Sequence, residues 1–178
     1  MPIVFTKVIC IYLLLITVLS SVSTAADILV KHTSGYSCAL TFLNKTMLCS
    51  LGINGVTTEK REGDGKTPIG SFPLRRIFYR SDKITEPFLP LFPDFITVNA
   101  TETNFGWCDE PTSPSYNQFV LTPFTESHED LWLPSSNVYD LLAVIGFNDE
   151  PIIPDKGSAI FFHVTETYGS TAGIHSMA

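Results

Sequence analysis

Apolar residues fall in short runs along this chain, each bounded by proline, glycine or small polar residues. Runs at 27–31, 38–43, 47–53, 70–79, 95–98, 118–121, 141–147 and 159–164 are rich in β-branched, aromatic and leucine side chains. Those are the side chains that fit a pleated, half-buried surface. No window sustains a helical period for more than about two turns. The pattern therefore predicts a mainly β fold, with two short helices at most. One is expected over 126–132, capped by Thr125 or Ser127 and closed by Pro134, and a second around 136–139. The 12 prolines and 11 glycines are scattered rather than gathered into a linker, so one domain is read from about Asp27 onward.

The first 25 residues are a different material. Lys7 precedes an apolar run from Val8 to Leu19, and Ser23, Thr24 and Ala25 give the small-x-small pattern that signal peptidase reads. A membrane span needs roughly 20 apolar residues, more than this run offers. A signal peptide cleaved after Ala25 or Ala26 is expected over an uncleaved anchor. The rest of the chain is then expected outside the cytoplasm, in a periplasm or cell envelope, with no membrane attachment after cleavage.

Charge narrows the partners. Without Lys7, 10 basic residues face 18 acidic ones, a net −8. Such a domain has no electrostatic footprint for nucleic acid. The leader also carries off Cys10, leaving Cys38, Cys49 and Cys108, an odd number for an oxidising compartment. Cys38 and Cys49 flank a hairpin whose tip is read at Asn44-Lys45. Counted outward from that tip, Cys49 faces Leu40, and the diagonal to Cys38 favours buried small hydrophobes over a disulfide.

Three segments carry chemistry. Residues 62–70 form a polar, glycine-dense loop in which glycines supply positive φ and Asp64 caps a turn. The spacing is not that of a phosphate loop, and Pro68 stands where a helix would have to start. Residues 106–111 join Trp107, Cys108, Asp109 and Glu110 in what reads as a turn; without a nearby histidine this is a poor metal set. Residues 157–164 read as a buried strand ending in His163, and a lone strand-end histidine is most often structural.

In order along the chain stand Gly52-Ile53-Asn54-Gly55, residues 60–76, 106–111, Tyr116-Asn117, 127–132, 139–148, 157–164 and 171–173. Together these eight segments resemble the catalytic domain of the L,D-transpeptidases of the YkuD (ErfK/YbiS) type, over nearly all of the chain beyond the leader. The resemblance implies a sandwich of mixed β-sheets with its active site at one end. It implies thiol acyl transfer on peptidoglycan stem peptides, releasing terminal D-alanine, with no cofactor and no metal. Carried over by position, His163 is the general base, the turn ending at Gly173 is the oxyanion-hole segment, and Trp107, Asp109, Tyr116 and Asn117 are substrate-binding.

Position 174 should then be cysteine, and it is Ile174. An isoleucine cannot be deprotonated or attack a carbonyl, so acyl transfer by the family's route is chemically excluded. Three explanations compete. In the first, residues 174–178 depart from the family's apolar continuation together, which favours a frameshift near the nucleophile codon and a truncated C-terminus. In the second, the chain is a pseudoenzyme that binds wall peptides through an intact groove. In the third, Cys108 is a displaced nucleophile, although the family pattern carries that cysteine beside its catalytic one. A secreted structural β-domain is the reading from another class.

Overall fold

The computed structural model describes residues 27–85 and 96–164. The leader, Gly173 and Ile174 lie outside the described residues. The fold is mainly β, with strands arranged in four sheets. A meander comes first, β1 (Leu29–Ser34), β2 (Ser37–Phe42) and β3 (Lys45–Ser50), followed by a short parallel pair, β4 (Val56–Thr57) and β5 (Thr67–Pro68). The central sheet combines β6 (Leu74–Tyr79) and β7 (Thr97–Ala100) with β11 (Leu141–Ile145) and β12 (Phe161–His163) in the order β12-β11-β6-β7. It is mixed, because β6 and β7 run parallel while the other pairs are antiparallel. A third sheet has β8 (Phe105–Cys108) between β10 (His128–Asp130) and β9 (Phe119–Leu121).

Side chains that alternate across the central sheet explain the layering. On one face Phe78, Leu142, Val144 and Phe161 pack with Leu131 and Tyr139 against Phe105, Trp107 and Phe119 of the third sheet. Three of those aromatics meet closely, with the rings of Phe105 and Phe119 edge to face at 4.8 Å and Phe78 stacked 5.8 Å from Phe119. Phe162 points the other way and packs on Cys38, Leu40, Cys49 and Leu51 of the meander. β11 is covered on both faces, which is why it reads Leu-Leu-Ala-Val-Ile without a polar position.

All eight apolar runs coincide with strands, and four elements appear where none was expected. β4 and β5 are two-residue pairings that composition does not announce. Residues 106–108, the start of the segment read as a turn, belong instead to β8, the middle strand of a sheet. Gly106 hides it in the sequence, yet a glycine packs there without strain: a Cβ would stand 3.1 Å from His128 and 3.3 Å from Val120 on the flanking strands, tighter than ordinary contact.

The expected helix over 126–132 is the clearest correction. The segment is β10, with His128, Glu129 and Asp130 opposite Cys108, Trp107 and Gly106. A helix this short leaves most of its terminal amides and carbonyls unsatisfied, whereas pairing with β8 satisfies them. The helix expected around 136–139 is a series of turns, with Ser136 N–H bonded to Leu133 O and Asp140 N–H to Asn137 O. Among the described residues there is no helix.

The hairpin tip lies one residue earlier than the sequence reading had it. Leu43 and Asn44 both have positive φ, 45° and 63°, which makes them the two central residues of the turn and pairs Phe42 with Lys45. Cys38 then faces Cys49 directly, their Cα atoms 4.9 Å apart, and the two form a disulfide rather than a pair of buried thiols. This bridge lies in the smaller core, under Phe162. Closing a loop of this length restricts the unfolded chain by about 3 kcal/mol. Reduction of the folded protein is therefore expected to lower its urea-unfolding free energy by about 2–3 kcal/mol, with the dithiol and disulfide forms compared side by side. Equal midpoints for the two forms would exclude any such constraint.

Candidate active site at one end of the sandwich

His163 is the last residue of β12, opposite Leu142 at the start of β11, and it is 5% exposed. The alternation that turns Phe161 toward the third sheet turns His163 the same way. Its Nδ1 lies 2.7 Å from the carbonyl oxygen of Val164. Donation to that carbonyl puts the ring's lone pair on Nε2, the tautomer a general base requires. The ring is also held edge to face against Tyr139, with 5.4 Å between centroids.

Behind Tyr139 stands an acidic pair. The Tyr139 hydroxyl donates to the Glu129 carboxylate, and Asp109 is close enough for its charge to act on Glu129. Register explains the grouping: Trp107 and Glu129 are direct partners across β8 and β10, so both face the central sheet, and Asp109 follows two residues after Trp107 on the same side. Burial pushes the Glu129 carboxyl above its ordinary range; the Tyr139 hydrogen bond pulls it back, and the neighbouring charge of Asp109 raises it further. Burial, reinforced by Glu129, also drives the Tyr139 hydroxyl well above the usual tyrosine range. Tyr139 is thus a neutral hydroxyl between a carboxylate and an imidazole.

A carboxyl held above its unfolded value binds its proton more tightly in the folded state, so its contribution to stability is lost as pH rises through the raised value. Asp64 acts in the opposite sense. Desolvation opposes its ionisation, but Lys60 and the amides of Arg61 and Lys66 outweigh it and hold the carboxyl below its usual range, so its contribution is lost as pH falls. Glu129→Gln keeps an acceptor for Tyr139 and removes only the first effect. The variant is expected to gain stability over the parent as pH rises from about pH 4, the ordinary glutamate range, through the raised value. Urea midpoints measured across that range check this; parallel curves for the two proteins would refute it.

Tyr116 and Asn117, expected to touch substrate, are buried in the frame of the domain. The Tyr116 hydroxyl donates to the Glu62 carboxylate and accepts from Gly157 N–H at 3.0 Å. Asn117 Nδ2 donates to the carbonyls of Phe147 and Asn148, while its Oδ1 accepts from Trp107 Nε1 at 3.0 Å and Ala159 N–H at 3.1 Å. All four hydrogen-bonding positions of that amide are in use. The loop at 60–66 belongs to the same frame, since Asp64 accepts from Lys60 Nζ at 2.7 Å and from the amides of Arg61 and Lys66. These residues anchor the chain just ahead of β12 and so set where His163 lies.

Of the residues the sequence singled out, the structure therefore gathers His163, Trp107 and Asp109 around one end of the inter-sheet space. It adds Glu129 and Tyr139, which sequence reasoning missed, and places Tyr116 and Asn117 in the frame that holds Trp107 and the chain ahead of β12. Trp107 is held by Asn117 and by an edge contact to Phe161 at 5.4 Å. Cys108 is fully buried and sits on the face of β8 opposite Trp107, away from His163. A thiol so enclosed cannot take over as a nucleophile. No protein-family model, curated protein or solved structure matches this chain.

Proposed function

We propose that this chain is a domain of the L,D-transpeptidase type that binds peptidoglycan stem peptides outside the cytoplasm and, with Ile174 at the nucleophile position, performs no acyl transfer. The observation that carries the reading is the setting of His163. A strand-end imidazole, oriented by the Val164 carbonyl and backed by Tyr139 and Glu129, is more apparatus than a packing role needs. The eight ordered sequence segments support the same reading, and several of them meet in the network that fixes β12. A base without its acid partner in catalysis still leaves a polar, shaped end to the sandwich able to receive a peptide.

The second reading, a structural β-domain, is favoured by one observation, the complete use of the Asn117 amide within the frame. Titration with an isotope-labelled disaccharide tetrapeptide separates the two. Binding is expected with a dissociation constant below about 1 mM, or some 4 kcal/mol, with shifts centred on His163 and Tyr139 and no release of D-alanine. An unperturbed spectrum at millimolar ligand would leave only the structural reading.

A further inference from the structure

Toward the other end of β11 from His163, a groove of about 590 Å³ opens between the central and third sheets. Trp107, Phe119, Val144, Ile145 and Phe147 form the apolar part of its wall, Gln118 and Asp149 belong to the polar part, and Arg75 and Arg76 reach it from β6. The two arginines are not equivalent. Arg75 is neutralised by Asp149 at 2.7 Å and Glu150 at 3.6 Å. Arg76 faces the same way as Phe78, with its guanidinium 5.7 Å from the centre of that ring, and forms no ion pair with the described residues.

In a chain of net charge −7, a half-buried arginine that forms no ion pair with the described residues, in a partly apolar groove, is an exception. A guanidinium presents a planar fork that matches a carboxylate in two parallel hydrogen bonds. The cation–π contact with Phe78 restrains that fork, which reduces the entropy lost when it is engaged. Apolar wall and charged fork together define the ligand.

We infer that this groove is a second binding site, which shares Trp107 with the His163 end but does not include His163, for a small ligand or peptide terminus that carries a free carboxylate on an apolar body. The aliphatic or aromatic part lies along Trp107, Phe119 and Ile145, and the carboxylate meets Arg76. The site does not depend on the chemistry at position 174.

The test uses N-acetyl-leucine and its carboxamide as probes of the purified protein, followed by the fluorescence of Trp107 in a Trp132→Phe background and by amide shifts. The acid is expected to bind at least tenfold more tightly than the carboxamide. Arg76→Met, which keeps an unbranched chain over Phe78, is expected to abolish that preference, Arg76→Lys to retain part of it, and His163→Ala to leave it unchanged. Equal binding of acid and amide, absence of binding by the acid at tens of millimolar, or a preference that survives Arg76→Met would each overturn the inference. If Arg76→Met does not fold, the acid–amide contrast in the parent and in Arg76→Lys still decides. Loss of the preference in His163→Ala would assign the carboxylate to the other end of the sandwich and so reject this site.

Discussion

Replacing Asn117 with alanine is expected to lower the unfolding free energy of this domain by about 4 kcal/mol, a large part of the 5–15 kcal/mol typical of native proteins. The side chain satisfies the carbonyls of Phe147 and Asn148, the Trp107 indole N–H and the Ala159 amide. Truncation would orphan four polar groups, and each buried, unsatisfied group costs roughly 1–3 kcal/mol when no water reaches it. Backbone conformation adds to the loss. Asn117 has a φ of 54°, a region that asparagine tolerates and alanine resists. Gln118→Ala next door, where the side chain makes one exposed hydrogen bond to Pro114 O, serves as control and is expected to cost no more than about 0.5 kcal/mol. Urea unfolding of the three proteins checks both values. A loss below about 1.5 kcal/mol for Asn117→Ala would mean that the frame is held elsewhere.

The second large effect concerns chemistry. Ile174→Cys is expected to create a thiol that reacts with iodoacetamide at pH 6.5 roughly tenfold faster than an ordinary exposed cysteine. An unperturbed thiol near pKa 8.5 is only about 1% thiolate at that pH. An imidazolium partner raises the thiolate fraction toward half, and the lower intrinsic nucleophilicity of a low-pKa thiolate takes back part of the gain. Adding His163→Ala to the same variant is expected to remove the advantage. Cys108, enclosed within the third sheet, is expected to stay unlabelled in every case and so acts as an internal reference. Mass spectrometry of labelled peptides over time reads all three. A new thiol indifferent to His163 would reject the positional carry-over on which the proposed function rests.

Much of the architecture was legible because it is written in apolar alternation. The runs at 141–147 and 159–164 could only be covered strands, and they became β11 and β12 at the centre of the fold. What stayed hidden was set by partners rather than by local pattern. The strand at 105–108 contains Gly106, an ordinary turn signal, and the tight fit there arises from His128 and Val120 on neighbouring strands. Glu129 looked like a helix face because its neighbours are polar, yet pairing with Trp107 turns it inward. The disulfide was missed through a single residue of register, since leucine at a positive φ is not a signal that sequence chemistry offers.

The site was legible only in part for the same reason. His163 announces itself by residue type and by its position at a strand end, and Trp107 by residue type and the family resemblance. Tyr139 and Glu129 matter because the fold brings them against His163 and against each other. Tyr116 and Asn117 were given a substrate-binding role by the family resemblance, and the structure uses their hydrogen-bonding groups internally.

The bracket made by Glu62, Tyr116 and Gly157 has a kinetic consequence. It joins residues 54 and 41 positions apart in the chain, and Asn117 reaches 42 positions to Ala159. Contacts so distant form only after the intervening strands have closed into sheets, because the chain between them must first lose its freedom. The bracket is therefore a late event in folding. Damage to it leaves the rate of assembly almost untouched and shows as faster escape from the native state. The lifetime of the arrangement around His163, rather than the speed at which it is reached, is what these three residues govern.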